Sequence, residues 1–306
     1  MVPHLSDEVR AALDDHRPVV ALETTLVTHG LPPPHNLEVA REAEAAVRQA
    51  GAVPATIAVL DGRLRAGLER AELERLARPG GAEKLSLRDL GPALARGATG
   101  GTTVAATARV AASLGIGIFA TGGLGGVHVG ARASWDVSAD VLALRDAPLV
   151  VVCSGIKSIL DLPATLEALE SASVTVAAYG RDDLPGFYTQ STGIPAPWRF
   201  DDPGEVAAAH RASREVGAPG ALVLCHPPPA ASALDQAELD HLLEEARREA
   251  SAAGIGGKEV TPFLLAALTR RSQGRTLAVN KDLVIRNAAL GGRIARSLAA
   301  RGPVRR

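Results

Sequence analysis

Cations in this chain are overwhelmingly arginine, and lysine occurs only at Lys84, Lys157, Lys258 and Lys281. Arginine stays protonated, whereas a lysine can give up its proton and attack a carbonyl, so lysines kept in such a chain are candidates for covalent chemistry. Lys157 ranks first. It follows the apolar run Leu149-Val150-Val151-Val152-Cys153 and the turn-forming Ser154-Gly155-Ile156. A strand end of that kind partly desolvates an amine, which favours its neutral, nucleophilic form and a Schiff base with a carbonyl carbon. The plainer reading is a lysine reaching from a strand end to solvent.

Glu23 is the second candidate. It interrupts an apolar stretch, where an unpaired carboxylate is costly to bury. Burial raises a carboxyl pKa and makes the group a ready proton donor, unless a structural ion pair neutralises it. Asp136 and Asp140, four residues apart in Trp135-Asp136-Val137-Ser138-Ala139-Asp140, are expected to share a helix face. Two such carboxylates suit a hard divalent ion, although aspartate near a helix start often serves only as a cap. The glycine runs Gly97–Val104 and Thr121–His128 are candidate anion sites, the first opening an alanine-rich helix and the second following a strand. Tight turns also need glycine, and neither run is a Walker A loop or a full dinucleotide fingerprint.

These residues sit in an ordinary globular composition: 306 residues, 46% hydrophobic and 22% charged, with a formal net charge of -1. The charge balance and an aromatic content of 3% argue against nucleic acid or an anionic membrane as partner. Cys153 and Cys225 each end an apolar run and read as buried small hydrophobes. The N-terminal stretch with His4, Ser6, Asp7, Glu8 and Arg10 lacks the layout of a signal peptide, and no apolar run is long enough to span a bilayer, so a cytoplasmic location is expected.

Short β-branched runs alternate with longer amphipathic stretches. Strands are expected at Val19–Leu26, Thr56–Leu60, Gly117–Thr121, Leu149–Cys153, Val174–Tyr179 and Ala221–Cys225. Helices are expected at Asn36–Ala50, Thr102–Ser113, Pro163–Ala172, Pro203–Val216, Gln236–Ala253, Thr261–Arg271 and Lys281–Ala300, with Ser6, Asn36 and Asp235 as N-caps. Asp61-Gly62 predicts a type I′ hairpin and hence an antiparallel element. The pattern implies an α/β fold with a mixed, mostly parallel sheet, helices on both faces and one domain over residues 1–306. The stretch Pro185–Pro203 reads as a lid or a subunit-contact loop, and the basic tail Arg301–Arg306 as frayed.

A set of short motifs follows in order: Ala21-Leu22-Glu23-Thr24-Thr25, His29-Gly30, Asn36, Val53-Pro54-Ala55-Thr56-Ile57-Ala58, Gly101-Thr102-Thr103-Val104-Ala105-Ala106-Thr107, Ala120-Thr121-Gly122-Gly123 and Gly126-Val127-His128. Next come Asp136-Val137-Ser138-Ala139-Asp140, Gly155-Ile156-Lys157-Ser158-Ile159-Leu160-Asp161 and Gly257-Lys258-Glu259-Val260-Thr261-Pro262-Phe263-Leu264-Leu265. From about Val19 to about Leu290 the chain strongly resembles the pseudouridine-5′-phosphate glycosidase family, which includes indigoidine synthase A-like proteins.

The resemblance implies a three-layer α/β/α sandwich, a homotrimer, and reversible cleavage of the C–C glycosidic bond of pseudouridine 5′-phosphate to uracil and ribose 5-phosphate with one manganese ion per subunit. By position it makes Lys157 the nucleophile at C1′, Glu23 the acid/base and Asp136 the metal ligand, largely through water. It places Lys84, Val104, Ser138, Ala139 and Asp140 in contact with substrate, Thr121 and His128 near the phosphate, and Asn280 at the uracil edge. A C–C glycosidic bond has no leaving oxygen to protonate, so paired carboxylates alone are inadequate and an imine is a suitable electron sink. Val129 stands where the family often has arginine. Gly101 stands where alanine is common, an exchange expected to be benign. Two other readings compete: an aldolase-like lyase that shares Lys157 without needing Asn280, and a sugar-phosphate-binding protein without catalysis.

Overall fold

The computed structural model describes residues 3–256 and 260–300. Its centre is built from the most apolar runs in the chain. Strands β2 (Val19–Leu22), β7 (Ile118–Ala120), β8 (Val150–Cys153) and β11 (Leu222–Cys225) are neighbours in that order, all parallel, and every residue in them is buried. Continuous apolar strands of this kind need helices on both faces. The sheet continues past β11 through β9 (Thr175–Tyr179) to β10 (Arg199–Phe200). Past β2 lie β3 (Val53–Leu60), β4 (Arg63–Ala66) and β1 (His4–Leu5), with β6 (Gly100–Thr102) on β3 and β5 (Glu83–Leu85) on β6.

The antiparallel pairs, β3 with β4 and with β6, lie at one end. Asp61 and Gly62 take positive φ values of 49° and 70° between Leu60 and Arg63, which are paired, so the expected type I′ hairpin forms. The remaining pairs are parallel, giving the mixed, mostly parallel sheet that the alternation implies.

Helices α2 (His35–Gln49), α9 (Pro203–Glu215) and the long α12 (Arg275–Ala299) pack together, with α12 against β2, β7 and β8. Helices α5 (Val104–Ser113), α7 (Ala139–Arg145) and α8 (Leu162–Ser171) form a second group, touching β2, β7 and β9. The outer elements are α1 (Asp7–Asp14), α3 (Arg70–Leu76), α4 (Leu90–Ala95), α6 (Ala131–Ser134), α10 (Gln236–Ala252) and α11 (Val260–Arg271). Ser6 and Asp235 cap α1 and α10 as expected, accepting from Val9 N and from Ala237 and Glu238 N. No helix among the described residues is long and apolar enough to cross a membrane.

Several expected boundaries move, each for a local reason. The strand from Val19 ends at Leu22, because Leu26–Gly30 winds into a π-helical turn. Asn36 is not the cap of α2; Pro34 holds that position, and the Asn36 side chain donates to Val27 O and Ala77 O, tying the π turn to the end of α3. The helix expected from Thr102 starts at Val104, since Gly100–Thr102 form β6 and Thr103 is the cap. Helix α12 begins at Arg275 rather than Lys281. Lys258 and the tail Arg301–Arg306 lie outside the described residues.

Candidate active site

The C-terminal ends of the four central strands converge, where open α/β sheets place their ligands. Glu23 follows β2, Thr121 follows β7, Ser154 to Lys157 follow β8, and His226 follows β11. Strands β2 and β8, with β7 between them, thus deliver the two candidate catalytic side chains to one end of the sheet although 134 residues separate them in the sequence.

Glu23 lies low in the cleft, with part of its surface still open and protein packed around its carboxylate. Burial raises its pKa above the ordinary carboxylate value. The ammonium of Lys157, the hydroxyl of Thr121 and the more distant Lys84 oppose that rise, while Asp140 adds to it. Its carboxyl is therefore biased toward the protonated form, among groups that can also stabilise its anion. Lys157 donates from Nζ to the carbonyl of Gly123 at 2.8 Å. That carbonyl belongs to the glycine run after β7, which runs alongside the Lys157 loop: Leu124 N donates to Gly155 O, and Lys157 N donates to Leu124 O.

The Lys157 loop is braced from below by a segment that reads from sequence as a lid. Leu184, Phe187, Tyr188 and Thr189 are buried. Phe187 N donates to Ser154 O at 3.0 Å, and Ser158 Oγ donates to Gly186 O at 2.6 Å. Gly155, at φ 95°, allows the carbonyl of Pro185 so close that a Cβ there would sit 2.6 Å from it. Phe187 itself has a φ of 64°, a conformation costly for an aromatic residue and found where surroundings over-determine it. The first part of the Pro185–Pro203 connection is buried packing beneath the Lys157 loop, which a lid would not be, while a subunit contact by the rest of it stays an expectation.

Asp136 and Asp140 do not share a helix face. Asp136 precedes α7, whose cap is Ser138, while Asp140 lies in its first turn. Asp140 is buried, and its two oxygens accept from Ala105 N at 3.0 Å and Gly125 N at 2.8 Å. It ties the start of α5 to the glycine loop and has no carboxylate oxygen left unengaged. This also revises both anion-site expectations. At α5, Asp140 and Thr103 occupy the amides of Ala105 and Ala106. In the Thr121–His128 run the amides of Leu124, Gly125, Val127 and His128 are bonded internally. The glycines there allow close packing, and an anion would have to be met by the amides of Gly122, Gly123 and Gly126.

The remaining candidates fall around this centre. His128 Nδ1 stands 3.9 Å from Asp136 Oδ2. Burial lowers the His128 pKa, the Asp136 charge opposes this, and Lys84 and Lys157 add to it, which places all three charges near the ring. Ser138 is half-buried against Gly125, Ala139 is exposed, and Val104 is packed into the core. Thr121 is buried and donates to Glu23, so its hydroxyl serves the carboxylate. Asn280, on α12, is 7% exposed, yet its Oδ1 has no hydrogen-bond partner. That oxygen lies 3.5 Å from where a Cβ on Gly122 would be, at the cleft floor. A buried acceptor without a partner is costly to keep unless a ligand satisfies it.

Asp136 has a side chain 37% exposed, and no group of three or more His, Cys, Asp or Glu is gathered to hold a metal among the described residues. The donor set fits a hard cation held by one carboxylate and otherwise by water. Gly101 is not a neutral exchange for alanine here: a Cβ would sit 2.7 Å from Thr24 O and 2.4 Å from Thr28 Oγ1. Sequence reasoning missed Ser154, Phe187, His226 and Asn287. The scarcity of asparagine was a usable signal, since Asn36, Asn280 and Asn287 are all buried.

A pseudouridine-5′-phosphate glycosidase of Paracoccus denitrificans is 50% identical over 297 residues, covering 96% of this chain and 98% of the relative. One from Streptomyces griseus is 52% identical over 294 residues, covering 96% and 91%. Among solved structures, the prealnumycin C-glycosynthase AlnA in complex with ribulose 5-phosphate superposes with a TM-score of 0.90 at 40% identity, covering 98% of each chain. An indigoidine synthase A-like protein of Thermotoga maritima gives 0.89 at 35% identity, covering 98% and 97%. The model of the indigoidine synthase A-like protein family matches residues 8–297. By that match and by its identity to these relatives, the chain belongs to the indigoidine synthase A-like family, which includes the pseudouridine-5′-phosphate glycosidases.

Proposed function

We infer that the protein cleaves the C–C glycosidic bond of pseudouridine 5′-phosphate reversibly, giving uracil and ribose 5-phosphate. The observation that carries this reading is the convergence of Lys157 and Glu23 beside Asn280, whose buried Oδ1 is unpartnered. The names of the half-identical relatives support it.

In the proposed course, Glu23 donates a proton to O4′ as the C1′–O4′ bond opens. Lys157, as the neutral amine, forms a bond to C1′ and loses its proton. The proton shed by Nζ passes to the Glu23 carboxylate and from there to C5 of the base, the C1′–C5 bond breaks, and its electron pair stays with uracil. The nitrogen lone pair of Lys157 forms the C1′=Nζ imine, which water converts to the aldehyde of ribose 5-phosphate and free lysine. The Gly123 carbonyl holds Nζ at the strand ends, and the Phe187 ring packs against Gly123 in turn. Asn280 would hold the uracil edge. Lys84 and His128 would face the phosphate end, with Thr121 acting through Glu23. Val104, Ser138, Ala139 and Asp140 would shape the wall. Asp136 would hold a divalent cation, manganese by family resemblance, which when bound supplies positive charge beside a phosphate dianion.

We further propose a homotrimer in the cytoplasm, with one domain and neither nucleic acid nor membrane as partner. Support for assembly comes from Val129, Trp135, Val137 and Leu142, apolar side chains exposed on the segment around the site. The test is uracil release from pseudouridine 5′-phosphate with manganese, by wild type and Lys157→Ala. Release that is lost in the folded variant, with a borohydride-trapped ribose 5-phosphate adduct on wild type alone, is the expected result. No release by folded wild type would overturn the assignment. Full activity of Asn280→Ala would favour an aldolase-like lyase instead.

A further inference from the structure

Behind the cleft, Asn287 of α12 is fully buried and makes contacts with three chain segments. Its Nδ2 donates to the carbonyl of Thr121 at 2.9 Å and to Ser154 Oγ at 3.0 Å. Its Oδ1 accepts from Nδ1 of His226 at 3.1 Å. The orientation is set by the partners: the opposite flip would face Oδ1 toward the Thr121 carbonyl oxygen. His226 supports the same assignment. Burial and the nearby Arg286 push its pKa down to about 4, so the ring is neutral. Its Nε2 then accepts from Arg286 at 3.4 Å while Nδ1 carries the hydrogen that Asn287 receives. The ring is also fixed edge-on against Tyr179, with centroids 5.6 Å apart.

The partners of Asn287 are not arbitrary pieces of the core. Thr121 is the residue whose hydroxyl donates to Glu23. Ser154 lies three residues before Lys157, and its carbonyl receives the Phe187 amide. We propose that Asn287 is a positioning residue, which clamps the ends of β7 and β8 at one spacing and so sets Glu23, through Thr121, against Lys157. His226 in turn fixes the rotamer of Asn287. This rests on the glycosidase reading for its assay.

Three properties make the clamp more than ordinary core packing. A buried amide with partners on both of its polar atoms would leave several groups unsatisfied if it moved, so it tolerates one geometry. It lies outside the cleft contacts assigned to substrate. Finally, it bridges two adjacent parallel strand ends where the last backbone bonds, Thr121 N to Val152 O and Ser154 N to Gly122 O, leave the Thr121 carbonyl and the Ser154 hydroxyl for a side chain to fix.

The test compares wild type, Asn287→Ala and His226→Phe as full chains, with pseudouridine 5′-phosphate and manganese. His226→Phe keeps an aromatic edge on Tyr179 and removes the donor to Oδ1. Folding is checked by circular dichroism and Tm. Folded Asn287→Ala is expected to lose about 10- to 100-fold in kcat, the cost of misplacing reacting groups by about 1 Å. Its KM should change by less than about threefold, since no substrate contact is removed. The limb of the pH profile reporting Glu23 should move to higher pH as the Thr121 bond loosens, with Lys157, Lys84 and Asp140 all left in place. His226→Phe should show the same pattern more weakly. A folded Asn287→Ala with wild-type kcat and an unmoved limb overturns the proposal. If Asn287→Ala does not fold, His226→Phe decides: a lower Tm with kcat and limb unchanged overturns it. If wild type releases no uracil, the glycosidase reading fails separately. The clamp is then read from the rate of borohydride trapping of ribose 5-phosphate on Lys157, which Asn287→Ala should slow; equal rates overturn it.

Discussion

The hydroxyl of Thr121 donates a hydrogen bond to Oε1 of Glu23, joining residues 98 positions apart in the chain. The two groups come from neighbouring strands, β2 and β7, so the bond is made by sheet order rather than by any local turn. It partly offsets the rise that burial imposes on the Glu23 pKa. Thr121→Val, which keeps the shape and removes the donor, should therefore raise that pKa further. The pH limb that reports Glu23 should move upward, and kcat should fall about tenfold, the scale of a hydrogen bond to a charged group. A pH–rate profile of the variant checks both.

Glu23 also carries a stability signature. Its folded pKa lies above the unfolded value, so the folded state binds the extra proton between the two. That contribution is present below the unfolded pKa and is lost as pH rises through the folded pKa. Glu23→Gln removes the group, and at neutral pH and above it should raise Tm, while near pH 4 the variant and wild type should converge. Activity should vanish in the same variant, the usual trade between an active site and stability. Thermal melts across pH 4–8 decide it; a Tm gain independent of pH would contradict the assignment.

Gly101→Ala should destabilise the protein by about 1–3 kcal/mol, the usual cost of overpacking a tight core. The added methyl would meet the Thr24 carbonyl at 2.7 Å, and backbone cannot rotate away as a side chain can. Urea denaturation measures the loss, and the same shift displaces Thr24 beside Glu23, so a fall in kcat should accompany it.

Asn280→Leu should leave Tm unchanged or higher, because the replaced Oδ1 is a buried acceptor without a partner. Its kcat/KM for pseudouridine 5′-phosphate should drop about 100-fold or more if that oxygen pairs with the base, since sites built around a polar contact lose heavily when it is removed. Melting curves and steady-state kinetics on one preparation separate the two effects.

Much of the fold was legible because its central strands are unbroken apolar runs and its turns use strong signals such as Asp61-Gly62. Lys157 and Glu23 stood out for a related reason: each is an ionisable group at the end of such a run. The π turn at Leu26–Gly30 was not legible, since Leu26 read as the end of a strand running on from Val19. Asp140 was read for its charge and spacing, while its work is to accept two backbone amides brought to it by α5 and the glycine loop. His226 and Phe187 were not legible for the same reason, and Asn287 was marked only by the scarcity of asparagine, which says nothing of its contacts. Their partners lie across strand order, and no local spacing encodes that order.

Helix α12 carries Asn280 and Asn287 seven residues apart, about 10 Å along one rigid element. It is also the last helix described, and it lies against strands that begin at Val19. A chain emerging from the ribosome can pair β2, β7, β8 and β11 long before this helix is made. The oxygen assigned to the base and the clamp on the strand ends are thus both supplied by one element that is made after all four central strands. A chain cut off before α12 should therefore be inert even if its central strands pair, because neither asparagine has yet been supplied.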